Sequence, residues 1–294
     1  MHSRTTPYTL KKLVLALALA GCTMGSAWAV LTPSTGTIQG TVPVLKSSAA
    51  GQDGSVALSW TSATGGSALA TGDTIEMSYV YDDAEGDEEL NATLATWYYV
   101  PAGGGAEVDI TSAATHVPAT TPGSTGTSTL TIPAAAVGST IKVVMRQVSA
   151  TGVPTENTPI TIQNVSVNPD GETDVPGGPV IPGGNMTPGI YLSTDTAFAN
   201  NLIGDTSTNL NVGDTYVFKL WDSSDVGGTD LSSSVTYNWR LMGTSATTGT
   251  SAGSDGIDTG VSDGNYTIGV NSAYTTITNS ADGAQGFALA VDYN

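Results

Sequence analysis

Apolar and polar residues alternate one for one from Ile75 to Asp82, which places Ile75, Met77, Tyr79 and Tyr81 on one face and Glu76, Ser78, Val80 and Asp82 on the other. Period-two alternation predicts a strand with one buried face. An acid-rich turn, Asp82 to Glu89, follows, and then an aromatic run, Trp97-Tyr98-Tyr99. Ionised carboxylates and the flexible Gly86 suit water better than a core, so this turn is expected to be an exposed connection. The same pattern predicts strands at Val56–Trp60 and at Ser139–Val148, where Ile141, Val143 and Met145 oppose Lys142, Val144 and Arg146. Further strands are expected at Thr37–Leu45 (an edge, because Pro43 lacks a donor), Ala106–Ile110, Ser128–Pro133 and Pro159–Val167. His116 to Thr127 reads as a Thr/Pro/Gly loop. Short strands separated by turn signals at near-regular spacing are the signature of a β-sandwich.

The pattern then starts again. Gly213-Asp-Thr-Tyr-Val-Phe-Lys-Leu-Trp-Asp222 aligns without a gap on Gly72-Asp-Thr-Ile-Glu-Met-Ser-Tyr-Val-Tyr81. Tyr216, Phe218 and Leu220 fall where Ile75, Met77 and Tyr79 fell. Tyr237-Asn-Trp239 follows one residue later than Trp97 would demand, Tyr266–Val270 matches the strand at Leu130, and Phe287–Tyr293 matches the strand at Ile141. An internal repeat of this length predicts two domains of one fold. Between them, residues 168–189 are dominated by Pro and Gly and are expected to be an interdomain linker. The second copy stops at Asn294, whereas the first has a further strand, Pro159–Val167. Either the lead-in Gly189–Leu202 supplies that strand, or a partner adds one by β-augmentation.

Composition narrows this picture to an all-β protein. Among 294 residues there are 36 Gly and only 12% charged residues, so few segments can sustain a helix, while 39% hydrophobic residues exclude wholesale disorder. Three bases, Arg4, Lys11 and Lys12, sit ahead of the apolar run Leu13–Ala20. That arrangement is a secretory leader, and the apolar run is too short to span a bilayer. Two cleavage signals compete: Leu19-Ala20-Gly21-Cys22 has lipobox form and would leave an acylated Cys22, whereas Ala27-Trp28-Ala29 would leave Val30 first. Without residues 1–29, five bases (Lys46, Lys142, Arg146, Lys219, Arg240) face all 26 acids, a net charge of −21. Such a chain is repelled by nucleic acid and by anionic membrane surfaces. With Cys22 in the leader, the remainder forms no internal disulfide.

Candidate chemistry is sparse. His116 is the only histidine outside the leader and reads as a solvated loop residue; no second His or Cys offers a zinc set or a catalytic relay. No phosphate loop or dinucleotide fingerprint occurs. The expectation is therefore a non-enzymatic protein with no obligatory cofactor. Asp82, Asp83, Glu85 and Asp87 form the best candidate for Ca²⁺, since alternate carboxylates on a Gly-containing turn can supply several oxygens, although the spacing is not that of an EF-hand. Ser254-Asp-Gly-Ile-Asp258 is a weaker second candidate. Trp97 and Trp239 fall where immunoglobulin-like sandwiches bury a tryptophan on the third strand. The cysteine pair usual beside it is absent, so Tyr79 and Leu220, or their neighbours, are expected to fill its volume.

The run YVYDDAEGDEE…TWYYV, followed by STLTIPAAAVGSTIKVVMRQVSATGVPT, resembles the bacterial Ig-like modules of intimin/invasin-type outer-membrane proteins. The whole arrangement of leader, first Ig-like domain, Pro/Gly linker and a second domain containing VTYNWRLMGTSATTGT resembles the SinI/Zir-type secreted proteins associated with such inverse autotransporters. The resemblance covers most of residues 30–294 and implies export by a bacterium, display or release at the outer-membrane surface, an intimin/invasin-like or co-secreted partner, and a role in host interaction or virulence. It carries no catalytic residue. The expected organisation is two immunoglobulin-like β-sandwich domains, 30–167 and 190–294, joined by the Pro/Gly linker 168–189, with no membrane span past the leader. Alternatives from other classes are a lipid-anchored or released adhesin that binds a host ligand, and a fimbria-like subunit.

Overall fold

Residues 31–222 and 228–294 are described by a computed structural model. The leader, Cys22 and Asp225 lie outside these residues. Residues 31–39 carry no strand or helix and are exposed, and the folded body is Gly40–Asn294. Its one α-helical segment among the described residues is the single turn Thr275–Thr278; the rest is strand, turn and short 3₁₀ segments, an all-β protein as expected.

The first half builds two sheets. One has the order β10 (Glu172–Thr173), β2 (Ala57–Thr61), β3 (Thr74–Asp82), β7 (Thr125–Thr131), β6 (Ala114–Val117), with β1 (Val44–Lys46) pairing the end of β3. The other has the order β5 (Val108–Asp109), β4 (Ala95–Pro101), β8 (Ser139–Met145), β9 (Ile160–Ile162). Ile75, Met77, Tyr79 and Tyr81 of β3 and Ile141, Val143 and Met145 of β8 are all at most 1% exposed and belong to one cluster with Trp97. The two sheets thus share a core, and Trp97 Nε1 donates to Ser128 Oγ of β7 at 2.9 Å, joining one sheet to the other.

The second half repeats this with fewer strands: β11 (Thr187–Leu192), β12 (Thr215–Trp221), β15 (Tyr266–Thr267) in one sheet and β14 (Ile257–Ser262), β13 (Tyr237–Gly243), β16 (Phe287–Tyr293) in the other. Tyr216, Phe218, Leu220, Trp239 and Leu241 form its core. Strand pairing follows the sequence repeat. β3 pairs β7 with Ile75 opposite Leu130, and β12 pairs β15 with Tyr216 opposite Tyr266. Trp97 of β4 lies opposite Val143 of β8, and Trp239 of β13 opposite Val291 of β16.

The repeated Gly-Asp-Thr turn shows why the repeat is exact in backbone terms. Gly72 (φ +88°) and Gly213 (φ +94°) adopt the left-handed conformation that only glycine takes without strain. Gly72 N–H donates to Ile132 C=O and Ile132 N–H to Asp73 C=O; Gly213 N–H donates to Ile268 C=O and Ile268 N–H to Asp214 C=O. The next donor also matches, Asp73 N–H to Ala70 C=O and Asp214 N–H to Asn211 C=O.

Four expectations are corrected. The strand foreseen at Thr37–Leu45 is confined to Val44–Lys46, where the chain first meets the free end of β3. The Thr/Pro/Gly stretch His116–Thr127 foreseen as a loop contains the end of β6 and the start of β7, held by backbone pairing that needs no apolar alternation. The Pro/Gly stretch 168–189 is docked rather than free over most of its length: β10 runs parallel to β2, Val175 and Val180 are buried in the first core, and Gly183 N–H donates to Thr71 Oγ1 at 2.8 Å. Extended Pro-rich backbone keeps its donors and acceptors unpaired, and the open edge of β2 takes them up. The lead-in Gly189–Leu202 does supply a strand, β11, but pairs it with β12 in the sheet opposite β16.

Candidate functional site: the acidic loop

Asp82 to Glu89 joins β3 to β4 and turns at Gly86, φ +86°. It is not the uniformly solvated loop foreseen, because Asp83 is 7% and Glu89 4% exposed. Asp83 turns inward because its Oδ1 accepts the N–H groups of Glu85 (3.1 Å) and Asp87 (3.0 Å), folding the loop around its own carboxylate.

The other carboxylates point to different parts of the chain. Asp82 accepts from Lys46 Nζ at 2.7 Å, and Lys46 also meets Asp53 at 3.4 Å. Glu85 accepts from Thr41 twice, at its N–H (3.1 Å) and its Oγ1 (2.6 Å). Asp87 accepts from Thr151 Oγ1. Glu88 C=O accepts Ala150 N–H at 2.7 Å, and Glu89 bridges Ser149 through the backbone. The loop therefore fastens residues 41–46 and 149–151 to the end of β3.

This arrangement does not fit the Ca²⁺ set Asp82, Asp83, Glu85, Asp87. A calcium ion takes six to eight converging oxygens. Here each carboxylate faces a separate protein donor, and among the described residues no three His, Cys, Asp or Glu side chains converge. In the second candidate, Asp258 faces Arg240 at 3.4 Å. Thermal melts in Ca²⁺ and in chelator should therefore superimpose; a midpoint raised by Ca²⁺ would refute this reading of the loop.

Glu89 is the residue that the sequence concealed, and its only signal is its place at the loop's end, beside Leu90. Its Oε2 accepts from Tyr79 OH at 3.1 Å and from Ala119 N–H, while Oε1 has no partner among the described residues. Burial pushes its pKa up to about 7, against the lowering effect of the bonds from Tyr79 and Ala119. Tyr79 is itself raised, first by burial and then by the Glu89 charge. Its ring lies over Gly126 of the neighbouring strand, where a Cβ would stand 2.3 Å from the ring.

His116 is not the solvated loop residue foreseen. It sits on β6 opposite Ser128, and its ring lies 6.4 Å from that of Tyr79 at 17°. Both ring nitrogens are buried without a partner among the described residues, and burial lowers its pKa, which favours neutral imidazole. A nucleophile–base relay needs a hydrogen bond that this histidine does not make among those residues. The framework residues are placed as expected: Tyr79 is 1% exposed, and Trp97, Leu220 and Trp239 are 0%. Trp239 Nε1 donates to Gly264 C=O at 2.7 Å, and its ring stacks on Tyr266 at 5.5 Å. Neither tryptophan offers a face to a sugar.

No protein-family model matches the chain, and no curated protein matches it.

Proposed function

We propose that the protein is an exported, non-enzymatic binding protein of two immunoglobulin-like domains that acts at the bacterial surface. Its partner is an intimin/invasin-like outer-membrane protein or a co-secreted protein, and its role is to modulate host interaction. The observation that carries this reading is the repeated framework. The Gly-Asp-Thr turn, the alternating strand after it and the buried tryptophan recur in both halves with the same pairings. The motifs that resemble intimin/invasin-associated modules lie on that framework. The leader-like N-terminus supports export, and the excess of 26 acids over 8 bases disfavours nucleic acid and anionic membrane as partners. No helix among the described residues is long and apolar enough to cross a membrane.

The test is capture from detergent-solubilised outer membranes with the immobilised processed chain. Recovery of an intimin/invasin-like protein is the expected result. Recovery from host-cell extract alone would replace this reading with the adhesin. The mass of the processed N-terminus separates acylated Cys22 from Val30.

A further inference from the structure

Among the described residues β16 is an open edge. Its counterpart β8 is covered on the far side by β9, and Val165 N–H donates to Ile141 C=O beyond that. Among the described residues nothing pairs with the corresponding edge of β16. The effect on burial is visible. Ile141, Val143 and Met145 are at most 1% exposed, whereas their equivalents Leu289, Val291 and Tyr293, with Phe287, pack on the second core and stay only partly buried.

Native edges usually carry a device against pairing. In the second half, β11 contains Pro188, β15 has two residues, and β14 contains Asp258 and Gly260 beside a register shift. β16 has seven residues, no Pro, no Gly and an unbroken register against β13. Its one charge, Asp292, is paired with Arg240 at 2.6 Å, and Arg240 also meets Asp258 at 3.4 Å.

The direction of its open hydrogen-bonding groups follows from the register. Asn294 and Thr236 exchange both backbone bonds, at 3.1 and 3.2 Å. In an antiparallel ladder such pairs alternate, so Leu289, Val291 and Tyr293 aim their N–H and C=O groups away from β13.

We propose that this edge pairs with β16 of a second copy of the chain, antiparallel about a two-fold axis at Ala290, making one sheet continuous across both copies. The sequence about Ala290 is self-complementary in that register. Leu289 falls opposite Val291 and Phe287 opposite Tyr293, all on the core side, and the outward-facing groups of Leu289 and Val291 meet. Asp292 falls opposite Ala288, away from the other copy's Asp292. A second copy is the occupant favoured by charge as well. Two strongly acidic chains repel over most of their surface, and β16 is a strip whose one charged side chain is paired with a base. The inference does not rest on export or on an outer-membrane partner.

The test is sedimentation velocity or light scattering of the processed full chain over a concentration series. The expected mass rises from one chain to two. Ala290 is on the outer face, next to Arg240 across the strand pair, so Ala290→Glu suits the fold. Across the two-fold axis it sets like charges about 5 Å apart at Cβ, and dimer affinity should fall at least tenfold. Val291→Pro removes one outward donor and should act the same way, with far-UV circular dichroism checking that the fold persists. A mixture of Ala290→Glu and Ala290→Lys chains should recover association. The proposal is overturned by a wild-type chain that stays at single mass throughout, by a dimer indifferent to Ala290→Glu, or by failure of the mixture to associate.

Discussion

Trp97→Ala should destabilise the first sandwich by about 3–5 kcal/mol, the range for truncating a buried tryptophan. Three observations place it there. The side chain is 0% exposed, it lies between sheets whose residues share one cluster, and its indole N–H reaches Ser128 Oγ at 2.9 Å. Truncation opens a cavity and leaves the Ser128 hydroxyl, itself 1% exposed, without its donor. Trp97→Phe separates the two effects, since it restores much of the volume and not the bond, and should cost about 1–3 kcal/mol. Trp239→Ala should match Trp97→Ala in size but act on the second sandwich, where the ring stacks on Tyr266. Urea unfolding followed by far-UV circular dichroism reads both. A loss below about 1 kcal/mol for either alanine variant would contradict the burial described.

Glu89 should make wild-type stability fall as pH rises from about 4.5 to about 7. Its pKa is 4.5 in an unperturbed chain and about 7 in the fold, chiefly because burial disfavours the carboxylate. Below 4.5 both states hold the proton and the group contributes nothing to the pH dependence. Between the two values the folded chain keeps the proton while the unfolded chain has released it, so each rise in pH favours unfolding. Above about 7 both are ionised and the loss is complete, at about 3 kcal/mol. Glu89→Gln retains an oxygen for Tyr79 OH and Ala119 N–H and cannot ionise, so its stability should lack this decline. The readout is the difference in urea midpoint between wild type and variant across that window, which cancels the other carboxylates. Parallel curves would show that Glu89 is solvated.

The strands that sequence revealed are those whose side chains carry the pattern. β3, β8 and β12 alternate strictly because each has one face in the core, and β16 could be placed because it echoes β8. β6, β10 and β14 escaped for a physical reason: they are edges held by backbone pairing, with only Ala114, Ile257 and Val261 among them packing on a core. The acidic loop misled in a related way. A run of like residues suggests one environment, yet Asp83 and Glu89 turn inward, each because local donors or a neighbouring tyrosine receive it. Nothing in the order of six acids marks which two will be buried. The docked Pro/Gly stretch shows the same limit, since composition reports stiffness and says nothing of an open edge waiting beside it.

The pairing scheme also sets a clock. Ile75 meets Leu130, Trp97 meets Val143, Tyr216 meets Tyr266 and Trp239 meets Val291, so these four core pairings close loops of roughly 46 to 55 residues. Folds dominated by such distant pairings form in milliseconds to seconds rather than microseconds. Neither core can assemble until the second strand of each pair has arrived. Each core therefore closes only after nearly a whole repeat of the chain is available to it.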